Sequence, residues 1–189
     1  MKHLKFYLAL LMLVNIGISS VQATDPAVDD VIFKEEFTVS SATKADAYNF
    51  AGTTTWSGSK TGLSYVSSNT SSELQTTAAN PITTANFFFV KTAASSLTMS
   101  GIAIPANVTK VTISFLSNKT IVTCDYSFTG SNYQRGVTSV NGTATFDLDV
   151  TNQSSLYLQF NKSGTSSNAR IDDVTIKVKT IGSAEPGGR

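Results

Sequence analysis

Histidine and cysteine are almost absent from this 189-residue chain. The only histidine is His3 and the only cysteine is Cys124. Beyond residue 3 the chain therefore has no imidazole for a Ser-His-Asp triad or a zinc site. A single cysteine excludes an intrachain disulfide, which small extracellular modules of eukaryotes commonly need. We expect no such catalytic centre, and a hydrophobic core that folds without cross-links.

Charge of either sign is also sparse. The chain has 14 Lys and Arg residues against 13 Asp and Glu residues, scattered along its length. Such a balance produces no long-range field that would attract nucleic acid or anionic lipid. A glycine-rich phosphate loop is missing from the sequence as well. We predict that the protein does not bind nucleic acid.

The N-terminus has the pattern of a signal peptide. A basic stretch with Lys2 and Lys5 precedes an apolar run over residues 6–14, and small or apolar residues stand around 21–23. The run is too short to span a bilayer, and no second apolar stretch follows. We predict a signal peptide at 1–23, a single domain at 24–180 and a flexible tail at 181–189. The protein is then secreted by a bacterium, either to the periplasm or to the cell exterior or surface, without membrane insertion.

Serine and threonine dominate the composition, with 51 residues together. Between them, apolar and polar residues alternate with the period of a β-strand, as in Val111, Ile113 and Phe115, and no stretch of twelve residues has a helical period. The alternation predicts strands over residues 31–37, 63–66, 87–91, 97–104, 111–116, 122–128, 146–150, 156–160 and 174–178. Asn141-Gly142 predicts a tight hairpin. We therefore predict an all-β protein, a two-sheet antiparallel β-sandwich of jelly-roll type with eight to ten strands.

Catalysis has little support in the remaining residues. Cys124 alternates with core residues, which predicts an inert buried thiol. Two carboxylates suffice for a glycosidase, and Asp147 and Asp149 share one strand face, but their Lys and Thr neighbours favour a solvated surface. We predict that the protein is not an enzyme.

Two places have the residue types that bind sugars, namely aromatic faces beside hydrogen-bonding side chains. One is Trp56, the only tryptophan, within an irregular region. The other is a polar turn over residues 130–136, which contains Asn132, Tyr133, Gln134 and Arg135. The alternatives are a tryptophan packed in the core and a tyrosine on an ordinary surface turn.

The two ends of the domain resemble a known family. An opening segment, Ile32–Phe37, reads I-F-K-E-E-F, and a closing segment, Arg170–Ile176, contains I-D-D-V-x-I. They resemble the frame of galactose-binding-like jelly-roll domains, which include carbohydrate-binding modules and the discoidin and MAM modules. The nearest resemblance is to the accessory jelly roll of secreted Bacteroidetes proteins. The resemblance spans residues 31–179 and implies that the first and last strands pair.

In such modules, carboxylates of the first and last strands often hold a structural calcium ion. Carried over, Glu35 and Asp172 are the side-chain ligands, with Glu36 and Asp173 as neighbouring alternatives. Calcium takes six to eight hard oxygens, including backbone carbonyls. Asp172 has the sequence parity of the apolar Val174, so an uncompensated carboxylate there is costly.

Two alternatives stand beside the calcium site. Both acidic pairs could lie at exposed strand ends, or Lys34 or Arg170 could compensate them. The predicted function is a monomeric, secreted, non-catalytic module that binds a polysaccharide or glycan. The alternatives are a structural or adhesive cell-surface domain, or an accessory domain of a truncated secreted hydrolase.

Overall fold

A computed structural model describes residues 25–37, 52–54, 64–68, 73–75, 77–91 and 94–182, with the backbone alone for 52–54, 64–67 and 73. Twelve strands lie in these ranges. They are β1 (Val31–Glu35), β2 (Gly52–Thr54), β3 (Ser64–Ser67), β4 (Glu73–Gln75), β5 (Asn86–Phe89), β6 (Ser95–Ala103), β7 (Val108–Ser117), β8 (Val122–Ser127), β9 (Gln134–Thr138), β10 (Gly142–Asp149), β11 (Ser155–Lys162) and β12 (Ala169–Ile181). Among the described residues, no helix is long and apolar enough to cross a membrane.

The strands form two antiparallel sheets of six. The first sheet has the order β10-β7-β12-β5-β4, with β1 also paired to β12, and the second has the order β2-β3-β6-β11-β8-β9. From β5 onward, successive strands alternate between the two sheets, except that β8 and β9 are neighbours in the second sheet. This winding is that of a jelly roll. The predicted all-β, two-sheet sandwich is confirmed.

The core lies between the sheets and consists of alternate residues of each strand. In β11, Leu156, Leu158 and Phe160 are fully buried, while the residues between them are partly exposed. Phe160 meets Phe115 of the first sheet edge to face, with ring centroids 5.1 Å apart. Cys124 is buried among these residues, as predicted, and loss of hydration raises the pKa of its thiol. A thiol in this state is a weak nucleophile.

Two sequence predictions about the region 130–142 are wrong. The predicted polar turn at 130–136 contains the start of β9, which is one of twelve strands in the described ranges, where eight to ten were expected. Asn141-Gly142 does not close a hairpin, because β9 and β10 belong to different sheets. The chain changes sheets at this point, and Gly142 has a positive φ of 142°.

Gly136 allows β9 to pack closely against Phe146 and the backbone of β8. A Cβ atom at this position would lie 2.6 Å from the Phe146 ring and 2.7 Å from the carbonyl oxygen of Cys124. Only glycine fits this spacing without movement of its neighbours. The register between β8 and β9 also shifts here, between Cys124 and Asp125.

Candidate functional site

A straight line of polar side chains crosses the outer face of the second sheet. Thr98 of β6 is paired with Gln159 of β11, Gln159 with Asp125 of β8, and Asp125 with Arg135 of β9. Residues directly opposite on paired strands project to the same side. We call these four residues the polar row. Across four strands it is about 14 Å long.

Hydrogen bonds fix the orientation of the side chains in the polar row. Gln159 Nε2 donates to Thr98 Oγ1 at 3.1 Å. Asn161, two residues further along β11, donates from Nδ2 to Gln159 Oε1 at 3.1 Å and to Asp125 Oδ2 at 3.0 Å. Both amide protons of Asn161 are thereby used. The network holds the side chains in place before any ligand arrives.

The second carboxylate oxygen of Asp125 differs from the first. Asp125 Oδ1 is buried and has no hydrogen-bond partner among the described residues. Arg135 Nε lies 3.8 Å away, beyond hydrogen-bonding distance, on a side chain that is 72% exposed. A buried acceptor without a donor costs about 1–3 kcal/mol. The polar row therefore ends in one unused acceptor beside a movable guanidinium group.

A cavity of about 350 Å³ lies next to the polar row. Its lining includes Arg135 and Asn161, together with Ser95, Ser96 and Thr123. Ser95 is 6% exposed, and its hydroxyl has no hydrogen-bond partner in the described part of the chain. The cavity is thus lined mostly by polar residues, and the Ser95 hydroxyl is available for a further hydrogen bond.

Two tyrosines lie beside the polar row. Tyr157 precedes Gln159 by two residues on β11, so it projects to the same outer face. Its ring lies against Gly130, where an added Cβ would be 3.1 Å from a ring carbon. Burial and the neighbouring Tyr157 raise the pKa of Tyr133. The face therefore combines aromatic surface with amide, carboxylate and guanidinium groups.

The predicted sugar-binding residues are partly brought together. Arg135 belongs to the polar row, and Tyr133 lies near Tyr157. Gln134 points elsewhere, since its Oε1 accepts a hydrogen bond from the Tyr126 hydroxyl at 2.9 Å. Asn132 is an exposed turn residue with a positive φ of 53°. Trp56 lies outside the described residues.

Sequence reasoning missed the centre of this face. Asp125 and Gln159 lie at polar positions of predicted strands and Asn161 directly follows the strand predicted at 156–160, and none of the three was a predicted site residue. The available signal was the pair of amides, Gln159 and Asn161, because the exposed residues of β10 are only Thr and Asp. The pattern does not show which strands are neighbours, so it could not predict that these side chains form a row.

The seam between β1 and β12 holds the acidic residues that were predicted to bind calcium. Glu35 is paired with Val174, and Phe33 with Ile176. Glu35 is 0% exposed and Asp172 is 1% exposed, whereas Glu36 and Asp173 are exposed. The pairing of first and last strands, which the family resemblance implied, is present.

Asp172 is buried, but the parity argument for its burial is wrong. It stands opposite Leu116, between the buried Phe115 and Ser117, so it projects from the outer face of the first sheet. The register shifts after Asp172, and Asp173 has a positive φ of 48°. This bulge resets the alternation so that Val174 faces the core.

The four acidic residues have different partners, and Glu35 Oε1 accepts a hydrogen bond from the Phe37 amide at 2.6 Å. The Thr84 hydroxyl donates to Asp172 Oδ2 at 2.6 Å, and the Asp173 amide donates to Oδ1 at 2.7 Å. Burial, opposed by these hydrogen bonds, raises the pKa of Asp172 to about 6. Lys34 Nζ lies 2.5 Å from Glu36 Oε1 and 3.8 Å from an Asp173 oxygen. Lys34 therefore compensates the two exposed carboxylates, which was one of the alternatives to the calcium site.

The seam fits a calcium ion only in part. Within the described ranges, no group of three or more His, Cys, Asp or Glu side chains could hold a metal ion. Glu35 and Asp172 are buried hard donors, but Glu35 is paired with the core-facing Val174 and Asp172 projects from the outer face, so they lie on opposite sides of the first sheet. The remaining ligands would have to be carbonyl or hydroxyl oxygens.

The chain matches no known protein family and no curated protein by sequence. Among solved structures, it is similar to the CBM22-1 and GH10 modules of xylanase 10B from Clostridium thermocellum, complexed with xylohexaose, at 13% identity and a TM-score of 0.49 over 85% of this chain. It is similar to the CBM22-1 xylan-binding domain of Paenibacillus barcinonensis Xyn10C at 10% identity and a TM-score of 0.43, over 82% of this chain and 99% of that one.

A third similar structure is the enzymatically active domain of tailspike protein 4 of bacteriophage CBA120, with 13% identity and a TM-score of 0.44 over 62% of this chain. The chain spans 19% of the tailspike and 30% of the xylanase structure. Carbohydrate-binding modules are thus among the similar structures. The assignment of the fold itself rests on the sheet topology of this chain.

Proposed function

We propose that this protein is a non-catalytic carbohydrate-binding module whose binding site is the outer face of the second sheet. The observation that carries the proposal is the polar row, with its hydrogen-bond network and its unused acceptor at Asp125. Sugars present many hydroxyls that each donate and accept, which fixed amides, carboxylates and guanidinium groups can satisfy. Tyr157 and Tyr133 add aromatic surface for the apolar side of a sugar ring.

Binding is tested by affinity electrophoresis through gels that contain soluble polysaccharides, with xylan as one of them. We expect retention of the wild-type protein by at least one polysaccharide, and a loss of most retention in Tyr157→Ala and Gln159→Ala. Thr145→Ala serves as the matched control, since Thr145 is exposed on the first sheet. Retention that survives both substitutions on the second sheet would place the site elsewhere. No retention by any polysaccharide would favour a structural or adhesive role.

We also propose that Asp172 holds a structural calcium ion at the seam of β1 and β12, with Glu36 and Asp173 as the neighbouring carboxylates. The burial of Asp172 supports this, because a buried carboxylate needs a cation or a proton. Calcium should raise the melting temperature and chelator should lower it, with little effect in Asp172→Asn. An equal melting curve with and without chelator would contradict the calcium site.

Export is the third part of the proposal. The basic and apolar segments before residue 24 support it. Expressed with its full N-terminus in a bacterium, the protein should be recovered outside the cytoplasm with Thr24 as its first residue. Recovery in the cytoplasm with Met1 intact would contradict it.

A further inference from the structure

We infer that the second-sheet face selects neutral glycans with free hydroxyl groups, and that one ligand hydroxyl is shared between Asp125 and Arg135. This inference rests on the proposed function and names the chemical class of the ligand. It follows from the arrangement of donors and acceptors at the end of the polar row.

One of the two carboxylate oxygens of Asp125 lacks a hydrogen-bond donor. Asn161 occupies Oδ2 at 3.0 Å, while Oδ1 receives no hydrogen bond. Asn161 cannot supply a second bond, because its other amide proton goes to Gln159 Oε1 at 3.1 Å. Asn161 is therefore a positioning residue, which orients the carboxylate so that Oδ1 is left for a ligand donor.

A ligand hydroxyl group can bridge Asp125 Oδ1 and the Arg135 guanidinium. Arg135 Nε lies 3.8 Å from Asp125 Oδ1, and the arginine side chain is 72% exposed, so it can move outward. A hydroxyl group can donate to the carboxylate and accept from the guanidinium at the same time. Both of these hydrogen bonds involve an ionised group, and such bonds are stronger than neutral ones.

Acidic and acetylated sugar groups cannot make this bridge. The carboxylate of a uronic acid and a sulfate ester have no proton to donate at neutral pH, so although Arg135 attracts their charge they leave Asp125 Oδ1 without a donor. An acetylated hydroxyl is uncharged but has also lost its proton. Free neutral sugars satisfy the pair of residues, and these three groups do not.

The ligand class is tested on the wild-type protein alone. The probes are the neutral polysaccharide that retains the protein best, its O-acetylated derivative and polygalacturonate. We expect acetylation to weaken binding at least tenfold, and polygalacturonate not to retain the protein. Equal or tighter binding of either modified polymer would overturn the inference while leaving carbohydrate binding intact. If no polysaccharide binds, the proposed function fails and this inference fails with it.

The residue assignment is tested with Asp125→Asn, which keeps the shape of the side chain and replaces one acceptor oxygen by a donor. We expect at least tenfold weaker binding to the neutral polymer, and a similar loss in Arg135→Gln. Asp147→Asn, on the exposed face of the first sheet, is the matched control and should bind as the wild type does. Binding of Asp125→Asn within twofold of the wild type would overturn the assignment. Melting curves show which variants are folded, and for a variant that is not, the wild-type experiment above decides.

Discussion

At the scale of single residues, burial decides the chemistry of the few ionisable groups away from the surface. Asp172 is almost fully buried and keeps two hydrogen bonds, but these do not outweigh the loss of hydration. The pKa of its carboxyl group is therefore raised from 3.8 to about 6. The exposed Asp147 behaves in the opposite way, since hydrogen bonds from Lys179 and Thr112 lower its pKa.

The raised pKa of Asp172 predicts a pH dependence in calcium-free buffer. Between the unfolded pKa of 3.8 and the folded value of about 6, the native protein binds a proton that the unfolded chain has released. The contribution of Asp172 to stability is thus fully present below pH 3.8 and is lost as the pH rises through 6. The loss amounts to about 3 kcal/mol in the free energy of unfolding.

Urea unfolding across this pH range measures the effect, with Asp172→Asn as the reference that removes the titrating group. The wild type should lose stability relative to the variant as the pH rises from 4 to 7. Added calcium should reduce this loss, because the ion favours the ionised carboxylate. Parallel curves for the two proteins in calcium-free buffer would show that Asp172 does not titrate in this range.

Gly136 gives a second prediction at this scale. In Gly136→Ala, the methyl group meets the Phe146 ring and the Cys124 carbonyl oxygen at less than 3 Å. We expect a destabilisation of about 1–3 kcal/mol, as for other overpacked sites. Thermal unfolding measures it, with Thr138→Ala at an exposed position of the same strand as the control. An alanine variant as stable as the wild type would show that β9 does not pack in this way.

At the scale of strands, the contact between Phe115 and Phe160 joins β7 of one sheet to β11 of the other. Replacing either ring by alanine should cost about 3–5 kcal/mol, because a fully buried ring leaves a cavity. The double variant should cost less than the sum of the two by about 0.5–1.5 kcal/mol, the usual value of an edge-to-face pair. Strict additivity in denaturant unfolding would contradict the contact.

The same scale shows how far the sequence predicts the fold. Strands with a long apolar alternation, such as β7 and β11, were predicted because each buries every second residue. β9 was missed because its Gln134-Arg135-Gly136 start is polar and mostly exposed, and a glycine inside a strand usually indicates a turn. The face of the sheet predicted for Asp172 was wrong, because a bulge adds one residue to the alternation. Local patterns do not contain the strand pairing that identifies β9 as a strand and places the bulge at Asp172.

At the scale of the whole molecule, the jelly-roll winding assembles the candidate site. Thr98, Asp125 and Gln159 lie far apart in sequence and become neighbours because β6, β8 and β11 are adjacent in the second sheet. The core between the sheets holds these strands in register, so the polar row is positioned by the most deeply buried part of the protein. Loss of packing in the core should therefore weaken binding as well as stability.

Ligand titration followed by two-dimensional NMR tests the central claim most directly, with a neutral oligosaccharide from the polymer that retains the protein. We expect the amide signals of β6, β8, β9 and β11 to shift in a saturable manner, with the largest changes around Asp125, Arg135 and Gln159. The exposed positions of β7, β10 and β12 should be unaffected. Saturable shifts confined to the first sheet, or no saturable shift at any residue, would contradict a carbohydrate-binding face on the second sheet.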